Sequence, residues 1–568
     1  MVQTLNRIKE GQSIARERTG GQLLVDTLLA EGLDRIFCVP GESYLEVLNA
    51  LYDVPEIQLV VCRHEGAAAN MAEADGKLTA RPGVAFVTRG PGSLHASVGV
   101  HTAFHDSTPM ILFVGQVERE SRGREAFQEI DIAAVFGPIA KWAGEIDRAE
   151  RIPEFIHRAY SVATAGRCGP VVLSLPEDVL SEVVTVSDNL GRRAPTLGQV
   201  PSPADVERVQ HALKEAKRPV LVVGGSGWSD KAIADLERFA SNNALPVVAS
   251  CRRQDLFDNR HSNYAGHLSL ATSKALAARI EHSDLIIALG SRLSDVTTRG
   301  YSIVRAPRAV QRIVHIYPDP NEIGRVYEAD IGIVASHAAA AAALAAMPGI
   351  ETPWRQWLTE MRREYEQSVD PASVSPTGPV DLAAVVAHVD ERLPPDGIVT
   401  NGAGNYTIWL HRFFRYRTGH TQLAPTSGAM GYGLPAAVAA KLRHPERAVV
   451  CFAGDGCFLM YPQELATAIQ HGAHIIVVVI NNSIYGTIRM HQERRYPGRV
   501  VGTDMVNPDL VAFARSFGAH AEVVTTTDEF APAFERALSA NRLSLIEVRV
   551  DPSQLTPDFR LAIAGAVS

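Results

Sequence analysis

The sequence predicts an α/β protein made of three doubly wound parallel sheets, and two observations support that class. The chain has 568 residues, 46% of them hydrophobic and 21% charged, which is ordinary globular composition and enough for about three domains. Short apolar runs, each ended by a glycine or a polar turn, alternate with longer helical stretches. That alternation is typical of strand–helix–strand units that form parallel sheets.

The first domain is predicted for residues 1–190. Its candidate strands are four short apolar runs, and each run ends at a glycine or a polar residue. The runs cover residues 35–39, 58–61, 84–87 and 110–114. The stretches between them have a helical pattern, so a doubly wound domain is expected here.

Two further domains are predicted after a polar connector rich in Gly, Arg and Pro. The central one covers residues 191–350, and residues 351–379 are expected to form a linker with one helix. The third covers residues 380–550, and residues 551–568 are expected as a tail or lid. The candidate strands of the central domain are 219–223, 285–289 and 313–316.

Composition excludes several classes of protein. The net charge of −8 and the pI near 6.2 argue against nucleic acid as the main partner. Residues 1–20 are polar with mixed charge, unlike a secretory signal, and no apolar stretch approaches the ~20 residues of a membrane span. The six cysteines form no CxxC pair, which favours buried thiols in a reducing cytoplasm. A cytoplasmic protein that binds neither nucleic acid nor membrane is therefore expected.

Two polar segments near the C-terminus carry the strongest functional signal. Gly454-Asp455-Gly456 follows the apolar run 449–453, and Asn481-Asn482 follows the run 475–480. Each run is typical of a buried parallel strand, so both segments are predicted at strand ends, where open α/β sheets bind ligands. A carboxylate and an amide oxygen beside a glycine turn suit a hard divalent cation that carries a diphosphate. Taken singly, Asp and Asn are also ordinary turn residues.

The segment from Gly454 to Asn482 resembles the cofactor motif of thiamine-diphosphate enzymes. The resemblance implies thiamine diphosphate and Mg²⁺ as cofactors. It implies that Asp455, Asn482 and the backbone carbonyl of Ile484 bind the metal. The first domain would then hold the pyrimidine ring of the cofactor, and the third its diphosphate and Mg²⁺.

Glu65 is the second candidate, in the run Arg63-His64-Glu65-Gly66-Ala67-Ala68, which is similar to the catalytic motif of the same family. By default it would be a carboxylate at a strand end or helix start. His64-Glu65 also begins a zinc-protease motif, but residue 68 is alanine where the second histidine is needed. The resemblance implies that Glu65 is catalytic. A buried carboxylate hydrogen-bonded to the pyrimidine nitrogen of the cofactor favours the protonated form of that nitrogen.

Further cofactor contacts are implied by the same resemblance. Met430 lies in a glycine-rich run very similar to that of acetohydroxyacid synthases, where a bulky residue wedges between the two cofactor rings; its alternative is a Met that fills a core gap. Asn405 and Tyr406 stand in a diphosphate-binding loop where synthases usually have Gln-His. The residues expected at the cofactor are Glu65, Gly92, Asn405, Tyr406, Gly428, Met430, Gly454, Asp455, Gly456, Cys457, Asn482, Ile484, Tyr485 and Gly486.

The stretch Ala126–Asp131 resembles one in acetolactate (acetohydroxyacid) synthases that lines the substrate pocket, so Phe127 and Gln128 are expected there. Two departures concern the chemistry. Glu42 stands where synthases have Gly, and it is either a proton donor near the cofactor or a charge at a helix N-terminus. His95 replaces the synthase Asn and is expected to face the cofactor or the substrate.

Other features of the sequence have weaker implications. His491 stands in place of a Trp with which synthases favour 2-oxobutyrate as acceptor, so the usual branched-chain specificity is not expected. The central domain of the family holds FAD, ADP or nothing, and the loop at residues 224–227 is only a partial match to a nucleotide-binding motif. His101 and His105 share a helix spacing suited to a metal, but no third ligand is apparent.

The resemblance implies decarboxylation of a 2-oxo acid, with pyruvate as the first candidate, and carboligation to a second carbonyl compound. A non-ligating decarboxylase or C–C lyase is the alternative; Glu42 favours it and residues 126–131 disfavour it. An inactive, cofactor-holding regulatory protein is a third interpretation, against which the retention of Glu65, Asp455, Asn482 and Met430 speaks. The family also implies a homodimer or homotetramer with active sites at the subunit interface.

Overall fold

The computed structural model of the chain describes residues 15–191 and 198–561. Residues 1–14 of the predicted first domain, residues 192–197 of the connector and residues 562–568 of the predicted tail lie outside that part. Two compact units are formed, residues 1–196 and 197–568.

The first unit is built on a parallel sheet of six strands in the order β3-β2-β4-β5-β7-β6, with a separate antiparallel pair of β1 and β8. Its strands are β1 (Ala15–Thr19), β2 (Arg35–Cys38), β3 (Gln58–Val61), β4 (Gly83–Val87), β5 (Met110–Gln116), β6 (Trp142–Glu145), β7 (Pro170–Pro176) and β8 (Val183–Ser187). Its helices are α1 (Gly20–Ala30), α2 (Leu45–Leu51), α3 (Glu65–Thr79), α4 (Gly90–Asp106), α5 (Ile132–Phe136), α6 (Ile152–Thr164) and α7 (Glu177–Ser181).

The second unit contains two six-stranded parallel sheets, of which the first has the order β11-β10-β9-β12-β13-β14. Its strands are β9 (Pro219–Val223), β10 (Val247–Ala249), β11 (Tyr264–His267), β12 (Leu285–Leu289), β13 (Arg312–Tyr317) and β14 (Ile331–Val334). The accompanying helices are α8 (Pro203–Glu215), α9 (Asp230–Asn242), α10 (Lys274–Glu281), α11 (His337–Ala345) and α12 (Arg355–Val369).

The second sheet of this unit has the order β16-β15-β17-β18-β20-β19 and is followed by a two-stranded antiparallel hairpin. The strands are β15 (Ile398–Asn401), β16 (Gln422–Leu423), β17 (Val449–Gly454), β18 (Ile476–Asn481), β19 (His520–Val524), β20 (Ser544–Arg549), β21 (Gln554–Thr556) and β22 (Phe559–Arg560). The helices are α13 (Leu382–Arg392), α14 (Tyr406–Phe413), α15 (Gly433–Arg443), α16 (Asp455–Phe458), α17 (Glu464–Gln470), α18 (Gly486–Arg495), α19 (Leu510–Ser516) and α20 (Thr527–Ser539).

Buried aliphatic strands explain why these three sheets form. β5, β12 and β18 are buried along their whole lengths and are rich in Val, Ile and Leu, as expected of strands covered by helices on both faces. Each sheet has its own cluster of buried apolar side chains. The prediction of three doubly wound parallel sheets is therefore confirmed.

The two sheets of the second unit are joined by buried polar contacts. The Asp255 carboxylate accepts hydrogen bonds from the backbone N–H groups of Thr421 (3.1 Å) and Gln422 (3.2 Å), and the Gln254 N–H donates to the Gln422 side chain at 2.7 Å. Because these groups are shielded from water, losing one partner would leave the other unsatisfied. The central and C-terminal sheets consequently form one compact unit.

The predicted linker and tail are both packed against folded parts of the chain. In the stretch 351–379, α12 buries Trp357 and Met361 in the core of the central sheet. In the stretch 551–561, the Gln554 side chain accepts a hydrogen bond from the Thr377 N–H at 3.0 Å, and Leu555 is buried. Among the described residues, the helices are too short or too polar for any of them to cross a membrane.

Candidate active site

Asp455 lies at the carboxyl end of β17, as the first residue of α16, and is buried. Its Oδ2 accepts hydrogen bonds from the Ser483 N–H at 2.9 Å and from the Asn507 amide at 2.7 Å. Burial raises the pKa of the Asp455 carboxyl, while the hydrogen bonds from Asn507, Gly456 and Ser483 act in the opposite direction. A buried carboxylate of this kind gains most from a bound cation, because the cation compensates the lost hydration.

Asn481 is the last residue of β18 and Asn482 follows it, and their side chains have different partners. Asn481 is buried; its amide donates to Glu547 at 2.7 Å and its Oδ1 accepts from the Ser483 N–H at 3.0 Å. The half-buried Asn482 side chain accepts from the Ile484 N–H at 3.2 Å, which forms a tight turn with Ser483 at φ +54°. The structure therefore places Asp455 and Asn482 at the ends of neighbouring strands, and the Ser483 N–H is bonded to Asp455.

Asn507 was not anticipated from the sequence, although it is central to this arrangement. Its amide bridges the Asp455 carboxylate at 2.7 Å and the Asn481 Oδ1 at 3.0 Å. Its own Oδ1 is buried and has no hydrogen-bond partner among the described residues. In the sequence it precedes Pro508-Asp509, the start signal of α19, so only the tertiary contact distinguishes it from an ordinary loop residue.

The donor set fits a hard divalent cation. A carboxylate, amide oxygens and a backbone carbonyl are the oxygen ligands that Mg²⁺ and Ca²⁺ prefer. The orphaned Asn507 Oδ1 beside the Asp455 carboxylate adds an unsatisfied oxygen at the same edge of the sheet.

Tyr406, expected at the diphosphate, has its hydroxyl turned into the protein. It accepts a hydrogen bond from the Gly402 N–H at 2.9 Å and donates to the Cys457 Sγ at 3.3 Å, which also accepts from the Gly431 N–H at 3.2 Å. The ring lies so close to Gly454 that a Cβ added there would be 3.0 Å from it. The Tyr406 side chain therefore packs against the backbone of the loop that contains Gly402, and it leaves room only for glycine or small residues around it.

Asn405, Met430 and the glycine positions line the same edge. The Asn405 Oδ1 accepts from the Thr487 hydroxyl at 2.8 Å, which ties α14 to α18. A Cβ on Gly486 would lie 3.3 Å from the Asn482 amide, so this glycine gives room beside the turn. Gly428 has φ +74° and open space around it, and Met430 is half-buried beside it. Gly456 is packed against the ring of Tyr485.

In the first unit, Glu65 begins α3 directly after His64, whose Nδ1 accepts from the Gly66 N–H at 3.0 Å and caps the helix. One carboxylate oxygen of Glu65, Oε2, lies 2.8 Å from the Nδ1 of His95 on α4. The other, Oε1, faces Gly92, where an added Cβ would be 3.4 Å away. The carboxylate is thus hydrogen-bonded through Oε2, while Oε1 faces Gly92.

The remaining predicted residues of this unit lie in exposed loops. Phe127 is 73% exposed, and Gln128 adopts φ +63°, a conformation uncommon for a non-glycine residue, while its carbonyl accepts from the Gly90 N–H at 2.9 Å. Glu42 begins a short 3₁₀ turn, and its exposed carboxylate lies 3.2 Å from the Arg89 guanidinium. Both predicted roles of Glu42, a proton donor and a charge at a helix start, stay predictions.

Comparison with known proteins adds an independent result. Models of the thiamine pyrophosphate enzymes match the N-terminal TPP binding domain over residues 18–135, the central domain over residues 206–344 and the C-terminal TPP binding domain over residues 402–548.

Three curated relatives are similar over nearly the whole chain. The chain is 32% identical to the probable acetolactate synthase large subunit of Methanocaldococcus jannaschii, over 95% of this chain and 93% of that protein. It is 32% identical to the acetolactate synthase large subunit of Parasynechococcus marenigrum, over 94% and 87% of the two chains. It is 29% identical to the acetolactate synthase isozyme 2 large subunit of Escherichia coli, over 94% and 95%.

Proposed function

The chain belongs to the thiamine pyrophosphate enzymes, as an acetolactate synthase-like member, and from that premise we propose that it decarboxylates pyruvate and joins the two-carbon unit to a second 2-oxo acid. The observation that supports this most is that each compact unit carries part of a site, with residues typical of the family. We call these two parts half-sites. One is the Glu65 carboxylate, with Oε2 bonded to His95 and Oε1 facing Gly92. The other is the cluster of oxygen ligands around Asp455.

In this proposal Asp455, Asn482 and the carbonyl of Ile484 would hold Mg²⁺, which would bind the diphosphate of thiamine diphosphate. When bound, the cofactor supplies an electron sink for decarboxylation. Tyr406 and Cys457 support the diphosphate loop from behind, since their polar atoms are bonded to the loop backbone. Met430 would supply an apolar surface for the bound cofactor.

Glu65 is the proposed acid–base group, because it can hold a proton at the pyrimidine nitrogen of the cofactor through Oε1. Phe127 and Gln128 are proposed to shape the acceptor pocket. The exposed ring of Phe127 supports this, because it leaves a large apolar surface for a substrate or a partner to cover.

We also propose that the active enzyme is a homodimer or homotetramer in which the Glu65 half-site of one subunit is completed by the Asp455 half-site of another. Each half-site belongs to a different compact unit, and neither has all the groups that the reaction requires. The described residues contain no disulfide, which suits the reducing cytoplasm proposed as its location.

The occupant of the central domain is a separate question, with FAD and ADP as the candidates. The glycines of the 224–227 loop have a packing reason: a Cβ on Gly225 would be 2.5 Å from the Gly290 carbonyl. Trp228 donates to the Gly224 carbonyl at 2.8 Å and stacks on His337. The loop thus needs no ligand to explain its sequence, and the visible absorbance of purified protein tests directly for a bound flavin.

The experiment for the main proposal is a product assay. Purified protein is incubated with Mg²⁺, thiamine diphosphate and pyruvate, and acetolactate, acetaldehyde and CO₂ are followed by NMR. We expect acetolactate. Acetaldehyde without acetolactate would contradict carboligation and favour the non-ligating decarboxylase, for which Glu42 is the relevant residue; Glu42→Gly should then raise the share of acetolactate. No turnover with cofactor bound would overturn pyruvate as the substrate, and a panel of 2-oxo acids follows.

A further inference from the structure

His95 and Glu65 form a carboxylate–imidazole pair between neighbouring helices. The His95 Nδ1 lies 2.8 Å from the Glu65 Oε2, within hydrogen-bond distance. The Glu65 side chain is 14% exposed and that of His95 is 54% exposed, so the imidazole connects a nearly buried carboxyl group with the outside of the unit. The hydrogen bond engages Oε2, while Oε1 faces Gly92 and is the oxygen we assign to the cofactor.

The packing of α3 against α4 holds this pair in place. One helical turn beyond it, Gly99 on α4 lies against Ala69 on α3, so closely that an added Cβ would be 2.4 Å from the Ala69 Cβ. The same spacing of four residues separates His95 from Gly99 and Glu65 from Ala69. The short distance between the helices therefore sets the distance between the two side chains.

His64 is the third residue of this cluster. Its ring stacks on His95 with centroids 4.7 Å apart, and its Nδ1 is used to cap α3. The pKa of His64 is lowered, first by burial and then by its proximity to His95. His64 is thus favoured in the neutral form, with its proton on Nε2.

These three groups come within 4.8 Å of one another, but they are poorly suited to hold a metal. A neutral imidazole ligates through one nitrogen and carries its proton on the other. His64 already uses the lone pair of Nδ1 for the Gly66 N–H, so ligation through Nε2 would require it to lose its proton. Proton transfer needs no such change.

We propose that His95 is the positioning residue and proton relay of Glu65, an inference that rests on the proposed function and deepens it. When Glu65 is protonated on Oε2, the proton moves to the His95 Nδ1 as the Nε2 proton passes to a water molecule. The products are a carboxylate and a neutral imidazole with its proton on Nδ1. The reverse sequence returns a proton to Glu65, so Oε1 keeps its contact with the cofactor while protons are exchanged through Oε2.

The relay has a defined pH dependence. A neutral imidazole can accept a proton from Glu65, whereas an imidazolium cannot. A relay through His95 should therefore appear as an acid limb in the pH profile, that is, as a fall of the exchange rate at low pH that depends on His95. Two further titratable groups of the described residues interact with the pair: His64, at the start of α3, and Tyr44, which lies near Glu65 in the 3₁₀ turn after β2. The test must therefore separate His95 from His64.

The experiment measures exchange of the C2 proton of bound thiamine diphosphate, by NMR, in the holoenzyme and as a function of pH. His95→Asn keeps an N–H donor for Oε2 but cannot relay a proton. We expect this variant to bind the cofactor with a Kd within a few-fold of wild type. Its C2-proton exchange should be roughly 100-fold slower, and the pH profile of exchange should lose its acid limb. His64→Asn, which retains a good helix cap, should keep the acid limb.

An acid limb that persists in His95→Asn, or one that disappears in His64→Asn instead, would overturn the relay. His95→Ala removes the hydrogen bond as well, so it should be slower than His95→Asn; equal rates would overturn the positioning role. Pyruvate is not used in this assay. If pyruvate is not the substrate, the product assay fails while the exchange measurement still reports on His95.

Discussion

Asp455 is the residue of the C-terminal sheet on which the proposed cation site depends most. Its carboxylate is buried, and two donors, Ser483 and Asn507, hold Oδ2 in one orientation. Such second contacts around a ligand set its direction, and losing them commonly weakens metal binding 10–100-fold. If Asp455 binds the cation as proposed, Asn507 and Ser483 should contribute to metal binding along with the predicted ligands.

We expect Asp455→Asn to weaken Mg²⁺-dependent binding of thiamine diphosphate by roughly 100-fold or more, because an amide cannot supply the charge that compensates the cation. Calorimetric titration of the cofactor with and without Mg²⁺ measures this. Asp504→Asn is the matched control: Asp504 lies in the segment paired with Ile484, but its side chain is 84% exposed. Equal affinities for the two variants would rule out Asp455 as a metal ligand.

At the scale of elements, the packing of α3 against α4 determines how close the residues near their N-termini, Glu65 and His95, come to each other. Both helices follow strands of the same sheet, so both N-termini lie at the edge where ligands bind in such folds. Gly99 allows them to approach, since its position lies against both the side chain and the backbone of Ala69. Any side chain there must push the helices apart or be compressed.

Gly99→Ala is expected to lower the free energy of unfolding by about 1–3 kcal/mol, because overpacking outweighs the ~1 kcal/mol that alanine normally contributes in a helix. It should also slow C2-proton exchange, since it separates His95 from Glu65. Urea denaturation and the exchange assay measure the two effects.

Gly137→Ala serves as the control for that substitution. Gly137 has φ −48° and no atom within 4 Å of an added Cβ, so its replacement should be nearly neutral in both assays. If Gly99→Ala were equally neutral, the close contact of the two helices would not be required.

At the scale of the whole molecule, the second unit buries histidines whose neutral form is favoured. Burial lowers the pKa of His267 and of His337 to about 4, from an ordinary value of 6.5, and lowers the pKa of His411 as well. Between pH 6.5 and about 4 the unfolded chain therefore binds more protons than the folded one. Stability is present above that window and is lost as the pH falls through it.

We expect the melting temperature of the protein to fall progressively on acidification from pH 6.5 toward 4, with a contribution of up to about 3 kcal/mol for a histidine such as His337. His337→Phe preserves the stacking on Trp228 but cannot titrate, so it should flatten this dependence. Calorimetry across the window measures it. A variant with the full wild-type dependence would show that His337 does not contribute.

Subunit mixing tests the proposed assembly. Glu65→Gln and Asp455→Asn should each be inactive alone. If each active site combines Glu65 of one subunit with Asp455 of its partner, random reassembly of equal amounts gives roughly a quarter of the wild-type activity. No recovery, when tagged subunits demonstrate exchange, would contradict a shared site.

Much of the site could be predicted because its residues lie at fixed offsets from strongly apolar strands. Asp455 and Asn482 follow β17 and β18 directly, and parallel strands all end at one edge. Asn507 could not be predicted, because it reaches the site from a loop whose path no local pattern determines. The hydrogen bond of His95 to Glu65 was missed for the same reason: it depends on the packing of two helices that are separate in sequence.

The sequence by itself determined the three parallel sheets, the resemblance to thiamine-diphosphate enzymes and the residues at the strand ends, since these follow from hydrophobic periodicity and short contiguous motifs. Tertiary structure alone decided which polar atoms meet. It turned the Tyr406 hydroxyl inward, paired Glu42 with Arg89 and placed His95 on Glu65. Such contacts arise from helix packing and loop paths, where distances of a few tenths of an ångström decide whether a hydrogen bond forms.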